Sequence, residues 1–212
     1  MESSSIILIR HGETEWNRKG LIQGHSDSPL TELGRQQAKA VGRALREEKI
    51  DALICSFAGR AKETARLIGE AIEHTAIPIE GIHERGFGEL QGLTMKEAGE
   101  RFGQDVPYRM YHEPEFNDFS IESQSAFRDR VVSAINNTAR AYAGKTVVVI
   151  SHGGALNIIF KQTIGLALGA PRRYELRNCS INRIQVSEEQ WTLSSWGDGN
   201  HLKQFSLDET TA

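Results

Sequence analysis

Two histidines in this chain occupy the same local setting, one or two residues after a run of apolar, β-branched residues and directly before a glycine. His11 follows the run 6–10, and His152 follows the run 146–151. Continuous apolar runs of this length are typical of strands buried on both faces of a parallel sheet. Ligands of open α/β sheets bind at the carboxyl ends of the strands, so we expect both imidazoles to belong to one binding site.

Arg10 narrows the chemistry that the adjacent His11 could perform. The histidine could be structural, a metal ligand or a nucleophile. A fixed cation repels a divalent metal, and the sequence contains neither an HExxH pattern nor clustered Cys and His residues. A guanidinium instead matches two phosphate oxygens, and its charge lowers the pKa of a neighbouring imidazole, which stays neutral and nucleophilic. The pair therefore favours phosphoryl transfer, while a structural histidine remains the alternative.

Composition restricts the class of protein further. The length of 212 residues suits one domain with a modest insertion, and the net charge of −3 gives no general attraction to nucleic acid or to an anionic membrane. No apolar stretch approaches the roughly 20 residues that span a bilayer, and the N-terminus lacks a signal-peptide pattern, so we expect a cytoplasmic protein. Cys55 and Cys179 lack metal-type spacing and are expected to be reduced, buried thiols.

Hydrophobic periodicity predicts strands that alternate with helices. Thr31 is the expected N-cap of the first helix, Pro78 favours an edge position in an extended segment 77–84, and Glu122 is expected in the first turn of a helix. The last two strands are expected to form a hairpin near a sheet edge. The predicted strands are 6–10, 50–55, 146–151, 181–186 and 191–196, and the predicted helices are 31–49, a segment after Ser56 that reaches Ile72, 122–142 and 155–166.

The segment 86–122 is predicted to be a lid or substrate-facing insertion within a single domain 1–212, because it is long, irregular and rich in aromatic residues. Its basic residues Lys96, Arg101 and Arg109 could suit a phosphomonoester with an apolar or carboxylate portion. The aromatic residues could instead form a small core beneath the lid. The polar tail after Leu207 is predicted to be frayed.

Several longer motifs carry a resemblance to a known family. They are LIRHGETEWN at 8–17, Gln23-Gly24, RAKETA at 60–65, FGELQGLT at 87–94 and VISHGG at 149–154, and Glu84 lies between them. In this order they resemble the histidine phosphatase superfamily, in its phosphoglycerate mutase-like branch, over about residues 6–160. The resemblance implies an α/β fold, a three-layer αβα sandwich with a mostly parallel central sheet and a lid-like insertion.

The resemblance also implies a role for each matching residue. His11 would be the nucleophile that becomes phosphohistidine, and Glu84 would protonate the leaving oxygen and then activate water. Protein groups, with no metal or cofactor, would stabilise the negative charge of the phosphoryl group. The expected phosphate ligands are Arg10, Arg60, His152, Asn17 and the Gly153 N–H, with Gln23 and Gly24 near the substrate. Asn17 could instead cap a loop, and Gly24 could be a turn glycine.

The same residues would serve a phosphatase or a mutase. The short interval between Glu84 and His152 resembles the compact phosphatases, so hydrolysis of a small phosphorylated metabolite is the expected activity. A mutase and a non-catalytic phospho-ligand binding protein are the alternatives, and the chain could be a monomer or a homodimer. If His152 is cationic beside phosphate while His11 is neutral, activity should depend on pH in a bell-shaped manner.

Overall fold

The computed structural model of the protein describes residues 2–205, and the predicted tail after Leu207 lies outside this range. Its central sheet has the strand order β3-β2-β4-β1-β5-β6. The first four strands in this order are parallel, and β5 and β6 run antiparallel to their neighbours. The strands are β1 (Ser4–Arg10), β2 (Ala52–Ser56), β3 (Ile77–Ile79), β4 (Thr146–Ser151), β5 (Ile181–Val186) and β6 (Trp191–Asp198).

Strand positions follow the sequence prediction closely. The hairpin of β5 and β6 lies at one edge of the sheet, and β3 lies at the other. Pro78 in β3 is therefore tolerated, because an edge strand leaves one side of its backbone without a partner strand. Residues 80–84, predicted to be extended, form no strand.

Helices cover both faces of the sheet. α2 starts directly after Thr31, whose side chain accepts a hydrogen bond from the Gly34 N–H as predicted, and it ends at Leu45 rather than near Lys49. The helices are α1 (Glu15–Arg18), α2 (Glu32–Leu45), α3 (Gly59–Ile72), α4 (Met95–Phe102), α5 (Val106–His112), α6 (Gln124–Ala141) and α7 (Gly153–Ile164), and short 3₁₀ turns lie at Gly88–Leu90, Asp118–Ser120 and Asn200–Phe205.

Alternate residues of β1 face two separate cores, as the period of a strand requires. Ile7 and Ile9 pack in a cluster with residues of α2 and α3. Ile6 and Leu8 pack on the opposite face with residues of α6 and α7. The protein is thus a three-layer αβα sandwich with a mostly parallel sheet, and the expected fold class is confirmed.

The segment 86–122 is more ordered than its irregular composition predicted. α4 has a capping box in which Thr94 and Glu97 satisfy each other's backbone N–H groups. Phe87, Phe116 and neighbouring apolar side chains form a third core, so the small-core interpretation of these aromatic residues is confirmed for most of them. Glu122 lies before the α6 N-cap, Ser123, and pairs with Arg130, so its predicted place in a first helical turn was wrong.

Within residues 2–205, no helix combines the length and the apolar character that a membrane span requires.

Candidate active site

The two histidines lie side by side at the carboxyl ends of neighbouring parallel strands. β1 and β4 are in register, with Arg10 opposite Ser151, so the next residue of each strand is one of the histidines. The ring centroids of His11 and His152 are 5.3 Å apart. Both side chains are buried. The sequence prediction that they share one sheet edge is correct.

The tautomer of His11 is fixed by its own backbone. Nδ1 lies 2.8 Å from the Gly12 carbonyl oxygen, so in the neutral ring Nδ1 carries the proton and Nε2 holds the lone pair. Burial lowers the pKa of His11 well below its usual value, and the charges of Arg60 and Arg10 lower it further. The expected effect of Arg10 on this pKa is confirmed, and the neutral form is the one that can act as a nucleophile.

Gly12 is required by a close backbone contact. A Cβ atom at this position would lie 2.5 Å from the carbonyl oxygen of Gly34, near the start of α2. Only a residue without a side chain lets α2 approach the His11 loop this closely. The glycine after the first histidine is thus explained by packing.

Arg10 and Arg60 each donate hydrogen bonds to the protein and each keep one nitrogen, Nε, without a partner among the described residues. Arg10 donates to the Leu176 carbonyl at 2.7 Å. Arg60 is almost fully buried and donates to the Asp27 carboxylate at 2.9 Å and to the Gly24 carbonyl at 2.8 Å. The Nε atoms of both arginines are buried and have no partner within the described residues.

His152 carries a third unpartnered nitrogen. Its Nε2 lies 2.8 Å from the Ser56 hydroxyl, and its Nδ1 is buried with no partner in the described chain. Burial lowers the pKa of His152 well below its usual value, with further lowering by the charge of Arg60. The expected cationic His152 is therefore not supported. The neutral ring can still donate from Nδ1, provided that the Ser56 hydroxyl donates to Nε2.

These three donors indicate an anion site. A buried N–H group without an acceptor costs about 1–3 kcal/mol, so three at one sheet edge predict an acceptor-rich ligand. The N-terminus of the twelve-residue α7, which begins at Gly153, adds backbone N–H groups and a partial positive charge at the same place. A phosphoryl group offers three oxygens to such donors.

Glu84 is held at the same edge by two backbone groups. Its Oε1 accepts from the Arg85 N–H and its Oε2 from the Gly154 N–H, both at 2.9 Å. The second bond fixes the carboxylate over the start of α7, beside Gly153. A carboxyl group and a neutral imidazole thus lie in one site, an arrangement that would allow proton transfer to a leaving oxygen.

Three further predicted site residues are Asn17, Gln23 and Gly24. Each has a local structural role and also lines the predicted site. Asn17 completes the capping box of α1, in which Thr14 is the N-cap and the Asn17 Oδ1 accepts from the Thr14 N–H at 3.3 Å, so the loop-capping alternative is confirmed. Asn178 donates to the same oxygen at 3.1 Å, which leaves the Nδ2 group of Asn17 for another acceptor. Gly24 has a φ of +57° and is a turn glycine, as the second alternative held. Gln23 donates to Thr14, and its buried Oε1 has no partner within the described residues.

All predicted site residues except His152 line one cavity of about 180 Å³. His152 is fully buried and contacts the Ser56 hydroxyl. A larger cavity of about 570 Å³ lies against α3 and β3 and contains neither of the two histidines. The smaller cavity is lined by the predicted site residues, so we assign it as the candidate active site.

Sequence reasoning did not assign roles to Asp27, Ser56, Asn178 or Arg130. The Asp27 carboxylate pairs with Arg60, and the Ser56 hydroxyl lies within hydrogen-bond distance of His152. The Asn178 side chain donates to the His11 carbonyl oxygen at 2.8 Å. Arg130 donates to the carbonyl groups of Gly81, His83 and Glu84. Each contact joins distant parts of the chain, so no local pattern could have revealed it. In the described part of the chain, no group of three or more His, Cys, Asp or Glu side chains could hold a metal ion.

The fold and the site together define an α/β protein with a cationic pocket at the carboxyl ends of its parallel strands. The chain belongs to the histidine phosphatase superfamily, branch 1, whose family model matches residues 6–199. It is 37% identical over 217 aligned positions to the protein named "Probable phosphoglycerate mutase GpmB" of Salmonella choleraesuis, with 96% of this chain and 97% of that protein covered.

Two solved structures extend the comparison. YhfR of Bacillus stearothermophilus has a TM-score of 0.88 at 26% identity, covering 94% of this chain and 100% of that one. A phosphoserine phosphatase mutant of Entamoeba histolytica, in complex with phosphoserine, has a TM-score of 0.82 at 28% identity, covering 94% and 99%. The protein is therefore an enzyme of the histidine phosphatase superfamily.

Proposed function

We propose that this enzyme hydrolyses small phosphomonoesters through a phosphohistidine on His11. The observation that carries the proposal is one cavity lined by a neutral His11, by Arg10 and Arg60 with their unpartnered Nε atoms, and by the Glu84 carboxyl group, with the unpartnered Nδ1 of His152 on the ring beside His11. Phosphoryl transfer depends mainly on positioning and on the stabilisation of charge over the phosphoryl oxygens. This set of groups supplies both.

In the first step, His11 Nε2 attacks phosphorus and the bond from phosphorus to the ester oxygen breaks. Glu84, in its acid form, gives its proton to that oxygen, which leaves as the alcohol. Arg10, Arg60, His152 and the Gly153 N–H hold the three phosphoryl oxygens, and the Nδ2 group of Asn17 adds a further donor. The Gly12 carbonyl accepts the Nδ1–H of His11 throughout, which stabilises the positive charge that develops on the ring.

In the second step, the Glu84 carboxylate takes a proton from water as the water oxygen attacks phosphorus. The bond from phosphorus to Nε2 breaks, inorganic phosphate leaves, and His11 and Glu84 return to their starting states. Protonation of the leaving group and deprotonation of water are the same transfer run in opposite directions, so one carboxyl group serves both. We propose that the segment 86–122 acts as the lid over this reaction.

The test is turnover of p-nitrophenyl phosphate by the purified protein. We expect activity that survives EDTA, is inhibited by vanadate and is lost in His11→Ala. A ³²P-labelled substrate should leave acid-labile, base-stable label on the wild-type enzyme after a rapid quench, and none on His11→Ala. Tight binding of phosphate without any turnover would contradict the proposal and would favour a binding protein.

Phosphoryl transfer between two hydroxyl groups is the second candidate. The 37% identity to a protein named as a phosphoglycerate mutase supports it, since the same groups could return the phosphoryl group to an acceptor other than water. Incubation with 3-phosphoglycerate separates the two activities. Release of inorganic phosphate supports the hydrolase, and appearance of the 2-isomer supports the mutase.

A further inference from the structure

Two kinds of side chain line the candidate active site. Arg10, Arg60 and Glu84 are the charged residues of the lining. A second group, here called the apolar wall, consists of Leu21, Ile22, Phe87, Met95 and Tyr111. The phosphoryl group belongs beside the arginines, so the apolar wall is the surface left for the alcohol portion of the substrate.

The apolar wall is a preformed surface, because backbone hydrogen bonds join the segment of Leu21 and Ile22 to the segment between Phe87 and Met95. The Ile22 N–H donates to the Leu93 carbonyl at 2.9 Å, and the Gly92 N–H donates to the Ile22 carbonyl at 2.8 Å. Ile22 and Phe87 are also members of the third hydrophobic core. Met95 and Tyr111 lie at the mouth, with 37% and 43% of their surface exposed. A bound alcohol would therefore meet a preformed apolar face.

Basic residues are few in the lining of the cavity. Among the described residues that line it, Arg10 and Arg60 are the arginines, and lysine is absent. The predicted basic residues of the segment 86–122 have other partners: Lys96 pairs with Glu100 at 3.7 Å, Arg101 lies over the Phe102 ring at 5.1 Å, and Arg109 pairs with Glu113 at 3.1 Å. The sequence-based suggestion that they bind a substrate carboxylate is thus not supported.

Arg172 is a cation outside the cavity lining whose charge reaches the site. Burial is the main cause that lowers the pKa of Arg10 to about 10, and the charge of Arg172 contributes to this lowering. Its side chain is exposed and is not part of the cavity lining. Solvent screens an exposed charge, so Arg172 offers weak compensation for a carboxylate that is desolvated against the apolar wall.

We propose, building on the proposed hydrolase, that the enzyme selects phosphate monoesters of small, uncharged, apolar alcohols and discriminates against phosphorylated carboxylates. A carboxylate placed on the apolar wall loses water without gaining a partner, which is costly, whereas an aryl or short alkyl group gains by burial. The cavity of about 180 Å³ is below the roughly 300 Å³ of typical ligand pockets, so the alcohol is small. Met95 and Tyr111 are the specificity-determining residues at the mouth.

The first experiment compares kcat/KM for phenyl phosphate and 3-phosphoglycerate. We expect phenyl phosphate to be preferred by at least about tenfold. Met95→Lys places a cation beside the substrate, so it should move this ratio about tenfold toward 3-phosphoglycerate. Ile164→Lys is the matched control, because Ile164 is exposed at the far end of α7, and it should leave the ratio unchanged. Equal or better hydrolysis of 3-phosphoglycerate by the wild type would overturn the inference.

A binding experiment keeps the inference separate from the proposed function. Phenylphosphonate and 3-phosphonopropionate cannot be hydrolysed, and their affinities can be compared by calorimetry on the wild-type protein and on Arg172→Gln. We expect tighter binding of phenylphosphonate in both proteins. If phenylphosphonate bound more tightly but the protein hydrolysed no phosphomonoester, the proposed hydrolase would be refuted and the proposed substrate specificity would stand. Equal affinity, or a 3-phosphonopropionate preference that depends on Arg172, would refute the specificity whatever the turnover.

Discussion

The guanidinium of Arg130 donates a hydrogen bond of 2.8 Å to the backbone carbonyl of Glu84. The same group donates to the carbonyls of Gly81 and His83, and the carboxylate of Glu122 holds it in place at 2.6 Å. One side chain on α6 thus fixes the whole segment that carries the proposed proton donor. Arg130 touches no reacting atom in the proposed mechanism, so we regard it as a positioning residue.

Replacement of Arg130 should therefore affect the chemical step. In Arg130→Gln the segment loses its charged anchor, and we expect kcat to fall by about 10²-fold, the order expected for a displacement near 1 Å, with KM little changed. Arg130→Lys should recover part of kcat, because it keeps the charge and one or two of the hydrogen bonds.

Arg128→Gln is the control for this prediction, because Arg128 lies on the same helix and pairs with Asp129 at the surface. Steady-state kinetics and thermal melts should be measured together. A loss of kcat in Arg130→Gln no larger than in the control would rule out the positioning role.

Gly154 should be intolerant of a side chain for a reason specific to Glu84. A Cβ at this position would lie 2.2 Å from Oε1 of Glu84, which must then move away. The clashing atom is the end of a flexible side chain, so Gly154→Ala should retain most of its thermal stability while kcat falls by at least about tenfold.

Gly153→Ala provides the comparison, since its Cβ would have Arg10 Nε as its nearest neighbour at 3.5 Å, an ordinary contact. Melting temperatures and kcat of the two variants distinguish the effects. If both variants had wild-type kcat, the position of Glu84 would not matter to the reaction.

Asn17 has one observed function, in the capping box, and one proposed function, in phosphate binding, and one substitution can separate them. Asn17→Asp keeps the oxygen that accepts from the Thr14 N–H, but it replaces the Nδ2 donor with a carboxylate oxygen. We expect a melting temperature close to that of the wild type and a fall in kcat/KM of at least about tenfold, because a negative charge would face the phosphoryl group.

Asn17→Ala removes both functions and should lower the melting temperature as well, by the loss of a cap worth roughly 1 kcal/mol. Calorimetric titration with inorganic phosphate gives a second readout for the same variants. Unchanged phosphate affinity in Asn17→Asp would leave Asn17 with the capping function alone.

The lowered pKa of His11 predicts how kcat/KM depends on pH. Burial, Arg60 and Arg10 all lower its pKa, so the neutral form persists below pH 6.5, and the acid limb of kcat/KM should lie below that value. NMR titration of the His11 ring in the free enzyme measures this directly. Arg60→Gln removes one of the cations and should move the pKa upward, whereas Arg60→Lys keeps the charge and should move it less.

An acid limb at or above pH 6.5 would contradict the lowered pKa. The pKa of His152 is lowered for similar reasons, so a bell-shaped profile need not come from opposite charges on the two rings. If phosphate binding makes His152 cationic, its NMR signals should shift toward the protonated form when phosphate is added at pH 7.

The sequence by itself determined the alternating strands and helices and the sheet edge that the two histidines share. Apolar runs specify buried strands, and helical periodicity specifies the faces that cover them, because both patterns arise from local backbone geometry. The three-layer sandwich and the places of Arg60 and Glu84 beside His11 were predicted from the resemblance of the longer motifs to the histidine phosphatase superfamily. The segment 86–122 was misread as irregular, since its short helices are stabilised by a shared core rather than by a long periodic pattern.

Only the tertiary structure decided the protonation and the orientation of the reacting groups. The proton on His11 Nδ1 depends on the position of the Gly12 carbonyl, and the pKa of His152 depends on its burial beside Arg60. The clamp of Arg130 on Glu84 joins side chain and backbone 46 positions apart. Long-range contacts of this kind follow from packing, which a one-dimensional pattern does not encode, and they give the predicted site a defined geometry.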